Sequence, residues 1–205
     1  QVIRYQSNPV NDKGSIAIIK GSLAPDGAVI KVAAASKKFL NHVGKAIVFN
    51  NAKELSDNID DPNLDVDENS IIVLRNQGPI GGQGMPESGF LPIPKKLLDK
   101  GIRDIIRISD ARMSGTAYGT IILHVAPESY IGGPLSLVKT GDKIKLSLEN
   151  KSLDLLVDNK ILSERKSSLK TAKHNSEYDR GYGWLYKEHI LQANQGCDFD
   201  FLKAK

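Results

Sequence analysis

Hydrophobic positions fall in short runs bounded by glycine, proline, asparagine and aspartate, the punctuation of strands and turns. Eight such runs predict strands: Ser15–Lys20, Ala28–Ala33, Lys45–Phe49, Ser70–Arg75, Ile102–Ile108, Thr120–Val125, Asp142–Leu148 and Leu153–Val157. Helical signals are fewer. Asn51 followed by Glu54 reads as an N-cap with a box-like partner for a helix over Ala52–Ile59. Pro94 at the start and Gly101 just past the end delimit a second helix. Tyr182, Leu185, Tyr186, His189, Ile190 and Ala193 share one face at helical spacing, which predicts a final helix capped by Gly196. The stretch 162–179 is polar and patternless, and reads as a surface connector to that helix.

Eight strands against three or four helices, with no internal repeat, predict a strand-rich mixed α/β fold. The connections are often too short for a helical crossover at every step. A β-barrel or sandwich flanked by a few helices therefore fits better than a doubly wound sheet. With about 150 residues per domain as the usual size, the 205 residues predict a single domain over 1–205.

Composition narrows the function classes. Hydrophobic residues at 40% and charged residues at 25% are the balance of a soluble globular protein. No apolar run approaches the ~20 residues that span a bilayer, so no membrane partner is expected. The net charge is only +4, from 28 basic and 24 acidic residues. The signs are interleaved, and the densest cluster, Glu54 to Glu68, is acidic, so nucleic acid is not an expected partner. The single cysteine, Cys197, excludes an intrachain disulfide and any zinc or iron–sulfur site built from several cysteines of this chain. That usage leans towards a cytoplasmic location. Gln1 in place of an initiator Met suggests a start inside a longer polypeptide.

Two loops hold the candidate chemistry. The first is Arg75-Asn-Gln-Gly-Pro-Ile-Gly-Gly-Gln-Gly-Met-Pro-Glu87, in which Gly78, Gly81, Gly82 and Gly84 follow a buried-looking strand and Glu87 is the only acid. Glycines there allow a sharp turn or close approach to a ligand, but the spacing is neither G-x-G-x-x-G nor a P-loop. The second is Arg107-Ile-Ser-Asp-Ala-Arg-Met-Ser-Gly-Thr-Ala-Tyr-Gly119. Ser114 lies outside any G-x-S-x-G elbow, and His42, His124, His174 and His189 show no zinc spacing. From spacing alone each loop could equally be a surface turn, and His189 a core histidine.

Taken together, the motifs are more specific. Gly78-Pro-Ile-Gly-Gly-Gln-Gly-Met-Pro-Glu87, Asp110-Ala-Arg-Met-Ser-Gly115, His124-Val-Ala-Pro-Glu128, Gly132-Gly-Pro-Leu135 and Gly141-Asp142 occur in the order seen in one enzyme family, as does the upstream Gly21-Ser-Leu-Ala-Pro-Asp-Gly-Ala-Val-Ile-Lys31. The chain resembles the C-terminal domain of dihydroxy-acid dehydratase and the sugar-acid (aldonate and 6-phosphogluconate) dehydratases. Ser114-Gly-Thr-Ala-Tyr118, Arg180-Gly-Tyr-Gly183 and the tail Gln192-Ala-Asn-Gln-Gly-Cys-Asp-Phe-Asp-Phe-Leu202 look most like the sugar-acid branch.

The resemblance implies a β-barrel-like domain with peripheral helices. It implies a hydro-lyase that removes water from a 2,3-dihydroxy acid to leave a 2-oxo acid, using Mg2+ and an iron–sulfur cluster, [2Fe-2S] or [4Fe-4S]. The cluster ligands and most magnesium ligands would belong to an N-terminal domain of the same enzyme, with none of the cluster ligands in this chain. An iron of the cluster would take the 3-hydroxyl and magnesium the carboxylate and 2-hydroxyl. Glu87 is implied as a magnesium ligand, Ser114 as the base for the C2 proton, Thr116 as a neighbour that orients the substrate, and His189 as a substrate contact. A serine can act so only where its alkoxide is favoured. A homodimer or homotetramer is implied, and the isolated domain is expected to be folded, colourless and inactive. The alternatives are a dehydratase of branched-chain amino-acid biosynthesis and a non-catalytic scaffold of the same fold.

Overall fold

The computed structural model describes residues 3–9, 14–87, 91–115, 117–169 and 178–202. Eight strands form one sheet: β1 (Ala17–Ile19), β2 (Gly27–Ile30), β3 (Asn41–Phe49), β4 (Ile71–Leu74), β5 (Ile106–Ser109), β6 (Ile121–Ala126), β7 (Lys143–Ser147) and β8 (Ser152–Leu155). Their order is β1-β2-β6-β5-β4-β3-β7-β8. The four central strands, β6-β5-β4-β3, run parallel, and the outer pairs are antiparallel. Lys20, just past β1, bridges Ser152 of β8, and Leu153 N donates to Lys20 O at 3.0 Å, so the two edges meet and the sheet nearly closes into a barrel. Closure of this kind removes most of the exposed edge. The strand-rich, barrel-like mixed α/β expectation is borne out.

Strand alternation explains the core. Ile71 and Val73 of β4 point inward with Ile19, Ile30, Ala46, Ile108, Ile122, Ile144 and Leu153, a cluster drawn from all eight strands. Ile72 and Leu74 point outward and pack with Ile47, Phe49, Leu123 and helix residues Leu55 and Leu97. Both faces of β4 are thus covered, which is why its sequence is continuously apolar.

The outer layer comprises α1 (Ala52–Asn58), α2 (Lys95–Leu98), α3 (Asn159–Ser168) and α4 (Gly181–His189). Asn51 Oδ1 accepts from Glu54 N at 2.8 Å, and Glu54 Oε2 accepts from Asn50 N at 2.8 Å, a reciprocal cap displaced by one residue from the expected box. β3 begins at Asn41 rather than Lys45 because its first half pairs with β7. β2 stops at Ile30, where Val32–Ala34 turn as a 3-10 helix. The expected strand Ile102–Ile108 contracts to Ile106–Ser109.

Two expectations change. Residues 162–168 of the expected connector 162–179 are helical, as the greater part of α3. Asp158 caps α3 at Lys160 N (2.7 Å), and Arg165 grips Asp142 at 2.5 and 3.0 Å, so polar contacts replace the apolar stripe that was sought. Residues 170–177 of that stretch lie outside the described residues. The final helix ends at His189, because Ile190 turns extended to bridge Phe199 and Leu191 N donates to Asp198 O. Gly196, at φ +92°, caps the short 3-10 turn Ala193–Gln195 instead. No residue of α4 is fully buried. Among the described residues no helix is long and apolar enough to cross a membrane.

Candidate active site

Parallel strands deliver their following loops to one rim of the sheet, the usual place for a ligand in α/β architecture. Here β4 leads into the glycine loop 75–87, β5 into 110–119, and β6 into 127–133. Two buried carboxylates tie these loops together. Asp110, fully buried, accepts from Gln77 N (2.9 Å), Ser129 N (2.8 Å) and Ser129 Oγ (2.5 Å), so it links all three. Burial pushes its carboxyl up, against these donors, which pull it down.

Glu128, 1% exposed, lies under the glycine loop and accepts from Ile80 N and Gly81 N, both at 2.9 Å. A Cβ on Gly78 would stand 2.5 Å from Glu128 Cβ and Oε2, so the close approach requires glycine there. Burial pushes the Glu128 carboxyl up as well. From the tail, Gln192 Nε2 donates to Glu128 Oε1 (2.8 Å) and Gln192 Oε1 accepts from Glu128 N (2.9 Å). Cys197 Sγ rests 3.3 Å from Met85 Sδ. The early end of the α4 helix is exposed, and its later residues and the tail brace the glycine loop.

Glu87 and Ser114 sit on adjacent loops that meet directly. Glu87 forms a parallel bridge with Arg112, two residues before Ser114. The buried Arg107 reinforces the junction, donating to Leu91 O and Tyr118 O, both at 2.9 Å, with Asp104 beside it at 3.3 Å. Glu87 lines a cavity of 430 Å³ between Ala52 and Leu55 of α1, Ile59 and Asp60 just past it, and Leu91 and Pro92. Ser114 does not line that cavity; it is partly buried on the neighbouring turn, closed by Ala117 N donating to Ser114 O at 3.3 Å.

His124 supports the same loop: its Nε2 accepts from Met113 N at 2.8 Å. Burial, with the Arg112 charge adding, pushes the imidazole below its usual range and keeps that nitrogen an acceptor. His124 adopts φ +56°, a left-handed conformation, where its chain turns back to Ala111. Thr116 lies outside the described residues. His189 is held by Asp200 Oδ1 at 3.0 Å and packs edge-on to Trp184 and Phe201, in the aromatic cluster of the tail rather than at the Glu87–Ser114 junction.

Asp110, Glu128 and Gln192 escaped the sequence reading as framework residues. They stood inside the quoted motifs, but nothing in spacing shows that they meet. Chemically, the glycine loop brings the Glu87 carboxylate and the next loop the Ser114 hydroxyl to this rim. Among the described residues no three His, Cys, Asp or Glu side chains converge on a metal position.

Residues 1–197 match the family model described as dihydroxy-acid/6-phosphogluconate dehydratase, C-terminal. The chain is 48% identical to a 6-deoxy-6-sulfo-D-gluconate dehydratase of Pseudomonas putida, over 99% of its own length and 35% of that protein. It is 47% identical to an L-arabonate dehydratase of Azospirillum brasilense, over 98% of the chain and 35% of the relative. A dihydroxy-acid dehydratase of Methanoregula boonei is 42% identical over 96% of the chain and 34% of the relative. The chain thus spans about a third of the length of the curated relatives it matches.

Proposed function

We propose that this chain, which belongs to the dihydroxy-acid/6-phosphogluconate dehydratase family as its C-terminal domain, supplies the proton-abstracting part of a site that dehydrates a sugar acid to a 2-oxo-3-deoxy acid. The observation that supports it is the Glu87–Arg112 bridge, which joins the carboxylate loop to the Ser114 loop at the ends of adjacent parallel strands. Ser114 Oγ, as the alkoxide, takes the proton from C2. The electron pair released forms the C2–C3 double bond as hydroxide leaves C3, and the resulting enol takes a proton at C3 and releases the proton of its 2-hydroxyl to become the 2-oxo acid.

The Glu87 carboxylate on the cavity wall, which Asp60 also lines, fits one ligand position of a magnesium ion, and among the described residues no third such side chain completes a site. Bound there, magnesium would neutralise charge that gathers on the substrate carboxylate and 2-hydroxyl. The residues do not fit an iron–sulfur cluster. Cys197 is the only cysteine, it packs on Met85, and burial pushes its thiol up, away from the thiolate form.

Glu87→Gln in the intact enzyme is expected to weaken magnesium binding by at least about tenfold, with excess magnesium partly restoring turnover. Unchanged magnesium affinity in a titration would remove Glu87 from the ligand set. Substrate class is tested by turnover of pentonates and hexonates against 2,3-dihydroxyisovalerate. The sugar acids are expected to win, in line with the higher identity to sugar-acid relatives. A dominant rate on 2,3-dihydroxyisovalerate would place the enzyme in the branched-chain class.

A further inference from the structure

Lys31 follows β2 and lies 83 residues from Ser114 in sequence, yet its ammonium sits on the Ser114 turn. Nζ donates to Gly115 O at 2.7 Å, Ser114 O at 3.3 Å and Ala117 O at 3.4 Å. Three carbonyl dipoles aimed at one point repel one another, and a compact cation with three protons resolves that conflict. The approach to this turn is fastened by Met113 N on His124 and by the bridge from Arg112 to Glu87. Lys31 fastens the turn itself, at the residue whose hydroxyl is in question. Without the ammonium the three carbonyls would turn apart and carry Ser114 with them.

We propose that Lys31 is a positioning residue for proton abstraction: its ammonium, seated on the carbonyls of Ser114, Gly115 and Ala117, fixes the turn from which the Ser114 hydroxyl meets C2 of the substrate. This rests on the reading of Ser114 as the base. A displacement of about 1 Å between reacting groups costs on the order of 10²-fold in rate, so a loosened turn is felt in the chemical step.

The test compares Lys31→Met, Lys31→Arg and Ser114→Ala in the intact enzyme, with sugar acid carrying either hydrogen or deuterium at C2. Lys31→Met is expected to lower kcat by about 10–100-fold with KM within about twofold of wild type. Its deuterium isotope effect on kcat should be at least that of wild type, because the slowed step is the C2 proton transfer. Lys31→Arg should recover part of the rate, since its planar fork keeps the charge but cannot meet three carbonyls as a point. Lys31→Gln takes the place of Lys31→Met if the latter does not fold. Wild-type kcat in the neutral variant beside an inactive Ser114→Ala would overturn the Lys31 role and leave the serine base standing. A kcat loss whose isotope effect falls towards one would place the defect in another step and overturn it too. An active Ser114→Ala would remove the serine base and this proposal together.

Discussion

Ser114→Ala in the intact enzyme is expected to lower kcat by about 10²–10⁴-fold, the usual contribution of a general base. The same variant should keep its melting temperature and magnesium content. The turn at Ser114 is closed through its main-chain carbonyl, which accepts from Ala117 N and from Lys31, and alanine retains that carbonyl. The metal ligand proposed for this chain is Glu87, on the other loop, and Ser114→Ala does not touch it. A residue that merely shaped the turn would give the opposite pattern, with lost stability and near-normal kcat in the folded fraction. Measuring kcat, bound magnesium and melting temperature on one preparation separates the two. A variant that keeps more than a tenth of wild-type kcat would end the serine-base assignment.

Asp110→Ala is expected to produce the largest loss of stability of any single substitution at the rim. The carboxylate is the shared acceptor for Gln77 N, Ser129 N and Ser129 Oγ; truncation leaves the two backbone donors buried with no acceptor in its place, while Ser129 Oγ can turn to Asn76 Oδ1 at 3.2 Å. Each stranded buried donor costs roughly 1–3 kcal/mol, so the two together cost about 2 kcal/mol or more. At about 2–4 °C per kcal/mol for a domain of this size, the melting temperature should fall by roughly 5 °C or more. Because Asp110 holds the glycine loop, the Ser114 loop and the segment after β6 together, turnover should fall even well below the melting temperature. Asp110→Asn keeps one acceptor oxygen and should fall between the two. Amide exchange at Gln77 and Ser129 provides the local readout: faster exchange at both is expected in Asp110→Ala. Exchange unchanged from wild type would show that the three loops are held by other means.

The parts of this molecule that could be read from sequence are those governed by local pattern. Ser70–Arg75 announces β4 because both faces of that strand are covered, and Asn51 with Glu54 announces the start of α1 because a cap is a short-range bond. The glycine run after β4 marks a loop with tight backbone approach, and Gly78 against Glu128 shows why. What escaped depends on contacts between distant residues. The helix α3 has no apolar face to detect, since Asp158 and Arg165 hold it through polar contacts. The final helix looks longer in sequence than it is, because the apolar residues Ile190 and Ala193 continue its spacing while the backbone leaves to meet Phe199. Lys31 on the Ser114 turn, and Gln192 beneath Glu128, join segments 83 and 64 residues apart. Spacing cannot reveal such pairs. The motifs named Glu87 and Ser114 individually; the bridge between Glu87 and Arg112 is what sets their loops side by side.

The central claim, that these two loops serve a dehydration that begins with loss of the C2 proton, is tested most directly by running the intact enzyme on a pentonate in deuterium oxide. The account predicts a 2-oxo-3-deoxy acid with solvent deuterium at C3, because the C2 hydrogen leaves to a base and the enol takes its new hydrogen from the medium. A product whose C3 carries only hydrogen from the substrate, or the absence of any 2-oxo acid from sugar acids and 2,3-dihydroxyisovalerate alike, would contradict it.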